Sequence, residues 1–147
     1  MSWTPRKKVV VPIDFSESSP EAVEVARGMV ADPADLHVVH VLAPLQHLSP
    51  MGEWGPLDND PSWDAVTRKH LADWLAERNY TDVTQVVLIG DPGLEVADYA
   101  KEHAADLIVI PSHGYHGVKR LVLGSVAERV LRHADCPVLV LRRRDAD

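Results

Sequence analysis

Glycines in the carboxyl-terminal third of the chain, one of them at the start of a helical pattern, could bind phosphate. Nine residues separate Gly114 from the pair Gly124-Ser125, where a helical pattern begins. Glycines let backbone N–H groups approach anionic oxygens, and the first turn of a helix offers free N–H groups and the positive end of its dipole. These residue types at a helix start make Gly114, Gly124 and Ser125 candidates for a phosphate cradle, to which Val126 would add a further N–H. No G-x4-G-K-[ST] segment occurs, so the cradle is not a Walker P-loop.

Asp14 is a second candidate for ligand binding. It follows the first apolar run, and its carboxylate could receive a ribose hydroxyl or help to bind a metal ion. Alternatively, Asp14 caps the turn into the first helix. Structural roles are equally open for Ser125, which forms an S-x-x-E capping box with Glu128, and for Gly114 and Gly117 as turn glycines.

The eight histidines do not predict a zinc site. His113 and His116 flank Gly114 at i, i+3 spacing, but no cysteine or carboxylate joins them at a metal-ligand spacing. Zinc needs three or four ligands, so loop histidines that hydrogen-bond the backbone are the better interpretation. The sequence identifies no set of metal-binding residues.

Short apolar runs alternate with longer segments of helical spacing along the chain. The predicted strands are Lys7–Ile13, Asp35–Leu42, Val83–Ile89, Leu107–Ile110 and Pro137–Leu141. The predicted helices are Glu21–Val30, Ser62–Arg78, Leu94–Ala105 and Ser125–His133. Strands and helices that alternate in this way predict right-handed crossovers and a parallel sheet with helices on both faces. We expect one domain spanning residues 1–147.

Local signals mark where the helices begin. Ser18 and Glu21 form an S-x-x-E capping box, and Asp91 is the expected N-cap ahead of Pro92 at the first helical position. In the helix Ser62–Arg78, one stripe is expected to contain Trp63, Val66, His70, Trp74 and Leu75.

Charge and composition exclude several classes of function. Asp and Glu outnumber Lys and Arg by 22 to 15, which disfavours binding to the phosphate backbone of nucleic acids. The apolar runs are too short to span a bilayer, and the first residues lack the apolar stretch of an export signal. The one cysteine, Cys136, precedes the run PVLVL, which favours a structural thiol and a reducing cytoplasm.

The segment Pro44–Pro61 does not fit the alternation. It contains four prolines and two glycines without periodicity, and connections of this length are often functional lids. Met51 and Trp54 could pack over a ligand, or Trp54 could anchor an ordinary surface loop.

Three separated motifs together resemble the universal stress protein family. Residues 112–142, SHGYHGVKRLVLGSVAERVLRHADCPVLVLR, are similar to its carboxyl-terminal signature, and the segments VVVPIDFSESS and GDPGLEV are similar to its opening strand and a later turn. The ATP-binding branch of the family has the pattern G-x2-G-x9-G-[ST]. This chain matches it at Gly114, Gly124 and Ser125, but Pro111 stands at the first glycine position.

The resemblance implies a doubly wound, five-stranded parallel sheet with strand order 3-2-1-4-5. It implies an ATP site beyond the carboxyl ends of the strands, with Mg²⁺ or Mn²⁺ bridging the phosphates, and a regulatory role in stress adaptation. Val41 would line an adenine slot, or it is a plain core valine. The implied binding residues are Pro12, Ile13, Asp14, Val41, Ile110, Pro111, Gly114, Gly124, Ser125 and Val126.

Two alternatives to an ATP-binding regulator remain open at this stage. A slow ATPase or autophosphorylating enzyme would need a positioned base, and the chain shows no recognisable catalytic set. A nucleotide-free dimeric adaptor is favoured by Pro111, which lacks an N–H donor, and disfavoured by the Gly114 to Gly124 spacing.

The last strand is expected to form a homodimer. By resemblance, Cys136–Leu141 lies at the edge of the sheet, and a bare apolar edge strand is an aggregation hazard. Pairing with the same strand of a second copy would cover it. Val138 and Val140 would lie on one face of the strand, with Leu139 and Leu141 on the other.

Overall fold

The structure is a computed structural model, and it describes residues 3–43, 61–112 and 123–142. Several sequence predictions therefore lie outside the described residues. They concern Gly114, Gly117, His113, His116 and residues 44–60 of the proline-rich segment.

The described strands form one five-stranded parallel sheet in the order β3-β2-β1-β4-β5. They are β1 (Val9–Pro12), β2 (Leu36–Leu42), β3 (Thr84–Ile89), β4 (Leu107–Pro111) and β5 (Val138–Leu141). In the central strand, Val9 is in register with Leu36 on one side and Leu107 on the other. The predicted fold class and strand order are confirmed.

Helices cover both faces of the sheet, as predicted. They are α1 (Ser19–Arg27), α2 (Pro61–Glu77), α3 (Pro92–Glu102) and α4 (Ser125–His133). Alternate residues of each strand point to opposite faces, so the sheet separates two apolar cores. Val9 and Val11 pack with α1 and α2, whereas Val10 packs with α3 and α4. No helix in the described part of the chain is long and apolar enough to cross a membrane.

The buried face of α2 is rotated from the predicted stripe. Trp74 and Leu75 are buried as expected. Val66 is 61% exposed and His70 is exposed too, and Thr67 and Leu71 are buried instead. The prediction for Val66 is wrong because the sheet contacts the residues at positions 67, 71, 74 and 75, which follow the i, i+4, i+7, i+8 spacing of one helix face.

One predicted helix cap is formed and one is not. The Asp91 side chain accepts a hydrogen bond from the N–H of Leu94 at 3.0 Å, which confirms its role as N-cap of α3. Ser18 makes no such bond, because its backbone is already helical (φ −83°, ψ −17°), whereas a capping side chain needs extended backbone. The serine that makes side-chain bonds here is Ser19.

Strand β5 lies at one edge of the sheet, with its side chains alternating between the two cores. Val138 and Val140 pack against the α3/α4 core, and Leu139 and Leu141 pack against the α1/α2 core. The expected alternation is therefore present, and all four residues remain half-buried.

Cys136 lies just before β5, packed against the α3/α4 core. Burial raises the pKa of its thiol, with a further increase from the nearby carboxylates of Asp106 and Asp135. A raised pKa keeps the sulfur protonated at neutral pH, which fits the predicted structural role.

Candidate functional site

A cavity of about 540 Å³ opens at the carboxyl ends of the strands, beside β1 and β4. The chain leaves β1 for β2 on one side and later returns to β4 on the other, so this is the point where the strand order reverses. Ligands of doubly wound proteins bind at this position, and the volume suits a small-molecule site.

Nine of the ten predicted binding residues line this one cavity. They are Pro12, Ile13, Asp14, Val41, Ile110, Pro111, Gly124, Ser125 and Val126. These residues lie in β1, β2, β4 and α4 or directly beside them, and the four elements are far apart in the sequence. The tenth, Gly114, lies outside the described residues.

Five further residues line the cavity that were not among the ten predicted binding residues. They are Ala43, Pro92, Val96, Ser112 and Ala127. A signal for three of them was present in the sequence. Ala43 and Ser112 directly follow β2 and β4, and Pro92 directly follows the predicted cap Asp91. Val96 and Ala127 lie within helices, and only the packing of α3 and α4 shows that they face this cavity.

The polar side chains in the lining are Asp14, Ser112 and Ser125. The remaining walls are apolar and include Val41, Ile110 and other aliphatic side chains and prolines. An apolar slot with a few polar groups is the usual composition of a pocket for a small organic ligand.

Helix α4 presents its N-terminus to the cavity. The N–H of Glu128 donates to the carbonyl oxygen of Gly124 at 2.9 Å, so Gly124 is the N-cap residue and Ser125 is the first helical residue. The expected capping box of Ser125 with Glu128 is therefore wrong, because Ser125 sits one position too late to cap. The N–H groups of Ser125, Val126 and Ala127 fall in the first turn, where the helix provides no partner.

Gly124 has φ −62° and ψ 155°, a conformation that any residue can adopt. Its backbone N–H donates to the carbonyl oxygen of Ser112 at 2.7 Å, which joins the start of α4 to the end of β4. A requirement for glycine here can thus come only from its missing side chain, and not from its backbone angles.

The Asp14 carboxylate organises the turn between β1 and α1. Its Oδ1 accepts from the N–H of Ser16 at 2.9 Å and from the hydroxyl of Ser19 at 3.1 Å. The turn-capping interpretation is therefore correct for this oxygen. Among the described residues, every hydrogen bond to the carboxylate goes to Oδ1, and Asp14 also lines the cavity.

The missing N–H of Pro111 lies on the cavity side of β4. The N–H groups of Ile108 and Ser112 donate to β5-side carbonyl oxygens, those of Pro137 and Leu141, at 3.0 and 2.9 Å. Residues of a parallel strand direct their N–H groups to alternate neighbours, so the nitrogen of residue 111 faces β1. Proline thus removes a donor at the point where the strand order reverses.

Helices α3 and α4 approach each other closely beside the cavity. A Cβ placed on Gly93 would lie 2.6 Å from Cβ of Arg129. The Asp91 carboxylate caps α3 through Oδ1 and forms an ion pair with Arg129 through Oδ2. This contact joins the N-terminus of α3 to the second turn of α4.

His40 on β2 lies next to the corner formed by Ile13 and Asp14. Its Nδ1 is 2.8 Å from the carbonyl oxygen of Ile13. Burial lowers the pKa of His40, and the hydrogen bond to Ile13 and the Asp14 carboxylate only partly offset that effect.

Comparison with known proteins gives this architecture a family. The sequence model of the universal stress protein family matches residues 5–142. The chain belongs to the universal stress protein family. It is 34% identical to Universal stress protein MJ0531 of Methanocaldococcus jannaschii, over 93% of this chain and 82% of that protein. It is 30% identical to Universal stress protein A homolog 2 of Coxiella burnetii, over 92% of this chain and 94% of that protein.

Solved structures of universal stress proteins share the fold. The structure of MJ0577, another universal stress protein of Methanocaldococcus jannaschii, matches with a TM-score of 0.77 at 24% identity, over 97% of this chain and 100% of that one. A universal stress protein in complex with cAMP matches with a TM-score of 0.61 at 24% identity, over 95% of this chain and 98% of that one. A universal stress protein from Archaeoglobus fulgidus in complex with dAMP matches with a TM-score of 0.62 at 21% identity, over 95% of this chain and 100% of that one.

Proposed function

We propose that this universal stress protein binds ATP in the cavity at the carboxyl edge of its sheet and acts as a regulatory protein in stress adaptation. The observation that carries the proposal is the convergence of Asp14, Val41 and the first turn of α4 on one cavity at the strand-order reversal. Each of these groups has a chemistry that suits one part of a nucleotide.

The apolar walls suit a flat aromatic base. Val41 and Ile110 lie on β2 and β4 and line the same cavity, so a purine could lie against aliphatic side chains there. Asp14 would accept a hydrogen bond from a ribose hydroxyl through Oδ2, to which no described residue donates a hydrogen bond.

The first turn of α4 suits the phosphates. Ser125, Val126 and Ala127 line the cavity, and their N–H groups and the helix dipole favour anionic oxygens. The two related structures in complex with cAMP and dAMP contain adenine nucleotides, which supports an adenine nucleotide as the ligand.

A metal ion would be held mainly by the nucleotide. Asp14 is the one carboxylate in the described lining, and no described cluster of three or more His, Cys, Asp or Glu could hold a cation. Mg²⁺ typically uses one or two carboxylates together with phosphate oxygens and water, so this residue set fits Mg²⁺ or Mn²⁺ carried with ATP.

We further propose that the whole chain, residues 1–147, is one cytoplasmic domain that forms a homodimer through Cys136–Leu141. The family model covers residues 5–142, which supports one domain. The edge position of β5 and its half-buried side chains support pairing with a second copy.

Isothermal titration calorimetry with ATP tests the proposal. We expect a micromolar-range dissociation constant, about −8 kcal/mol, and tighter binding with Mg²⁺ present. Mass spectrometry of nucleotide released from the freshly purified, denatured protein provides an independent measurement. No heat of binding and no co-purified nucleotide would instead favour the nucleotide-free adaptor, in agreement with the donor missing at Pro111.

A further inference from the structure

Phe15 has a backbone conformation that phenylalanine rarely adopts, next to Asp14 of the proposed site. Its φ is +63°, in the left-handed region that carries a steric penalty for residues with a Cβ. The adjacent Ser16 is 7% exposed, and its Oγ has no hydrogen-bond partner among the described residues. Both features are unfavourable, so other contacts must hold this turn in place.

Aromatic side chains on the α1/α2 side of the sheet hold the Phe15 ring. Its centroid lies 4.5 Å from the ring of His40 on β2 and 4.4 Å from the ring of His70 on α2. Trp74, one turn further along α2, is at 5.9 Å. The contacts are tilted or edge-to-face, which are the favourable geometries for aromatic pairs. The ring is thus fixed between a strand and a helix.

His40 also binds the backbone of the same turn. A carbonyl oxygen only accepts hydrogen bonds, so the 2.8 Å contact requires His40 Nδ1 to carry a proton and donate it to Ile13. The N–H of Ile13 donates to the carbonyl oxygen of Val39 at 2.8 Å. The residue before Asp14 is therefore tied to β2 through both its N–H and its C=O.

We propose that His40 is a positioning residue for nucleotide binding, holding the turn at residues 13–16 in the conformation that presents Asp14 to the cavity. The inference rests on the proposed ATP site. His40 lies on the α1/α2 side of β2 and is absent from the cavity lining, whereas the next residue, Val41, lines the cavity on the other face. His40 therefore acts through Asp14 and not by touching the ligand.

Two substitutions at His40 separate its hydrogen bond from its ring. Asparagine places an amide nitrogen where Nδ1 stands and retains a donor, whereas leucine has the same branching without a donor. Both variants lose the ring contact with Phe15, so the difference between them reports the bond to Ile13. We expect His40→Leu to have a dissociation constant for ATP about threefold to tenfold higher than His40→Asn, measured by calorimetry. Equal dissociation constants for the two variants would overturn the inference.

A double-mutant cycle tests whether the effect passes through Asp14. In the Asp14→Ala background, the difference between His40→Leu and His40→Asn is expected to disappear. A difference of the same size in that background would show that His40 acts by another route, against the inference. Circular dichroism and thermal unfolding confirm that each variant is folded.

A substitution of Phe15 provides a second measurement should His40→Leu fail to fold. Phe15→Gly removes the ring but adopts a φ of +63° without strain. We expect weaker ATP binding, because the turn loses its contact with the His40 ring. Parent-like binding by the folded variant would show that this contact does not position Asp14, against the inference. If the parent protein itself does not bind ATP, the proposed function fails, and the inference fails with it. If the parent protein binds ATP but His40→Leu and His40→Asn have equal dissociation constants, the inference about His40 fails and the proposed function stands.

Discussion

The backbone N–H of Gly124 donates a hydrogen bond to the carbonyl oxygen of Ser112 at 2.7 Å, and this contact joins helix α4 to the end of β4. It places the first turn of α4 at the edge of the cavity that also contains Asp14. The free N–H groups of that turn can reach a phosphate only if no side chain stands between them and the cavity.

Gly124→Val is therefore expected to abolish ATP binding while the fold persists. The backbone angles of Gly124 suit valine, so the effect would come from side-chain atoms that occupy the space of a phosphate oxygen. Gly28→Val is a matched control, since Gly28 is the exposed C-cap residue of α1, lies outside the cavity lining and has φ −70°. Calorimetric titration should show binding by the control only, and unchanged binding by Gly124→Val would remove this cradle from the proposed site.

Pro111→Gly is expected to strengthen ATP binding by about twofold to tenfold. The substitution restores an N–H that faces β1 at the cavity, and a net hydrogen bond contributes about 0.5–1.5 kcal/mol. The greater chain entropy of glycine in the unfolded state lowers the stability of the folded protein and leaves its affinity for ATP unaffected. Pro111→Ala restores the same donor with less added freedom, so a similar gain in affinity in both variants would assign the gain to the N–H. Weaker binding in both variants would show that proline is an adapted part of the cavity.

Gly93→Ala is expected to destabilise the protein by about 1–3 kcal/mol, because its Cβ would lie 2.6 Å from Cβ of Arg129 and force α3 and α4 apart. Gly28→Ala is the control, since the nearest atom to its Cβ is a backbone oxygen at 3.5 Å, an ordinary contact. Urea unfolding measures both free energies. Equal stability of the two variants would contradict the close approach of the helices.

The free energy of unfolding is expected to decrease as the pH falls below about 6.5, the ordinary pKa of histidine. Burial lowers the pKa of both His37 and His40 in the folded protein. Below pH 6.5 the unfolded chain therefore binds protons that the folded protein does not. The free energy of unfolding keeps decreasing until the pH reaches the lowered pKa values of the folded protein. Urea titrations between about pH 7.5 and pH 5 measure this change, and the free energy of unfolding should vary less with pH in the double variant His37→Asn, His40→Asn. If the free energy of unfolding varies with pH equally in the variant and the parent, the pH dependence comes from groups other than these two histidines.

The proposed dimer predicts that Val140→Lys converts the protein to monomers. Carbonyl oxygens of Pro137 and Leu141 accept bonds from the β4 side, so by alternation the peptide groups of Val138 and Val140 face outward from the sheet. Val140→Pro should act in the same way by removing an outward N–H. Val66→Lys on the exposed face of α2 controls for the added charge, and circular dichroism confirms that the Val140 variants are folded, since Val140 also packs against the α3/α4 core. Light scattering that gives about 16.2 kDa for the unmodified protein would refute the dimer.

The order of elements was predictable because each strand and helix carries its own local pattern. Val9–Val11 form a continuous apolar run, as expected for a strand buried on both faces, and Asp91-Pro92 is a cap signal that acts within one turn. The family motifs then located most of the cavity lining, since Pro12-Ile13-Asp14 and Gly124-Ser125 lie at strand or helix ends that a parallel sheet brings to one edge.

Tertiary structure decided what no local pattern contains. The capping serine expected at position 18 has helical backbone, and Ser19 binds Asp14 instead, in a turn whose Phe15 ring contacts rings from β2 and α2. The exposure of Val66 and the place of Val96 in the cavity depend on how far each helix rotates against the sheet. That rotation is set by packing between residues distant in the chain. Helical spacing alone predicts the buried face only to within about one residue position.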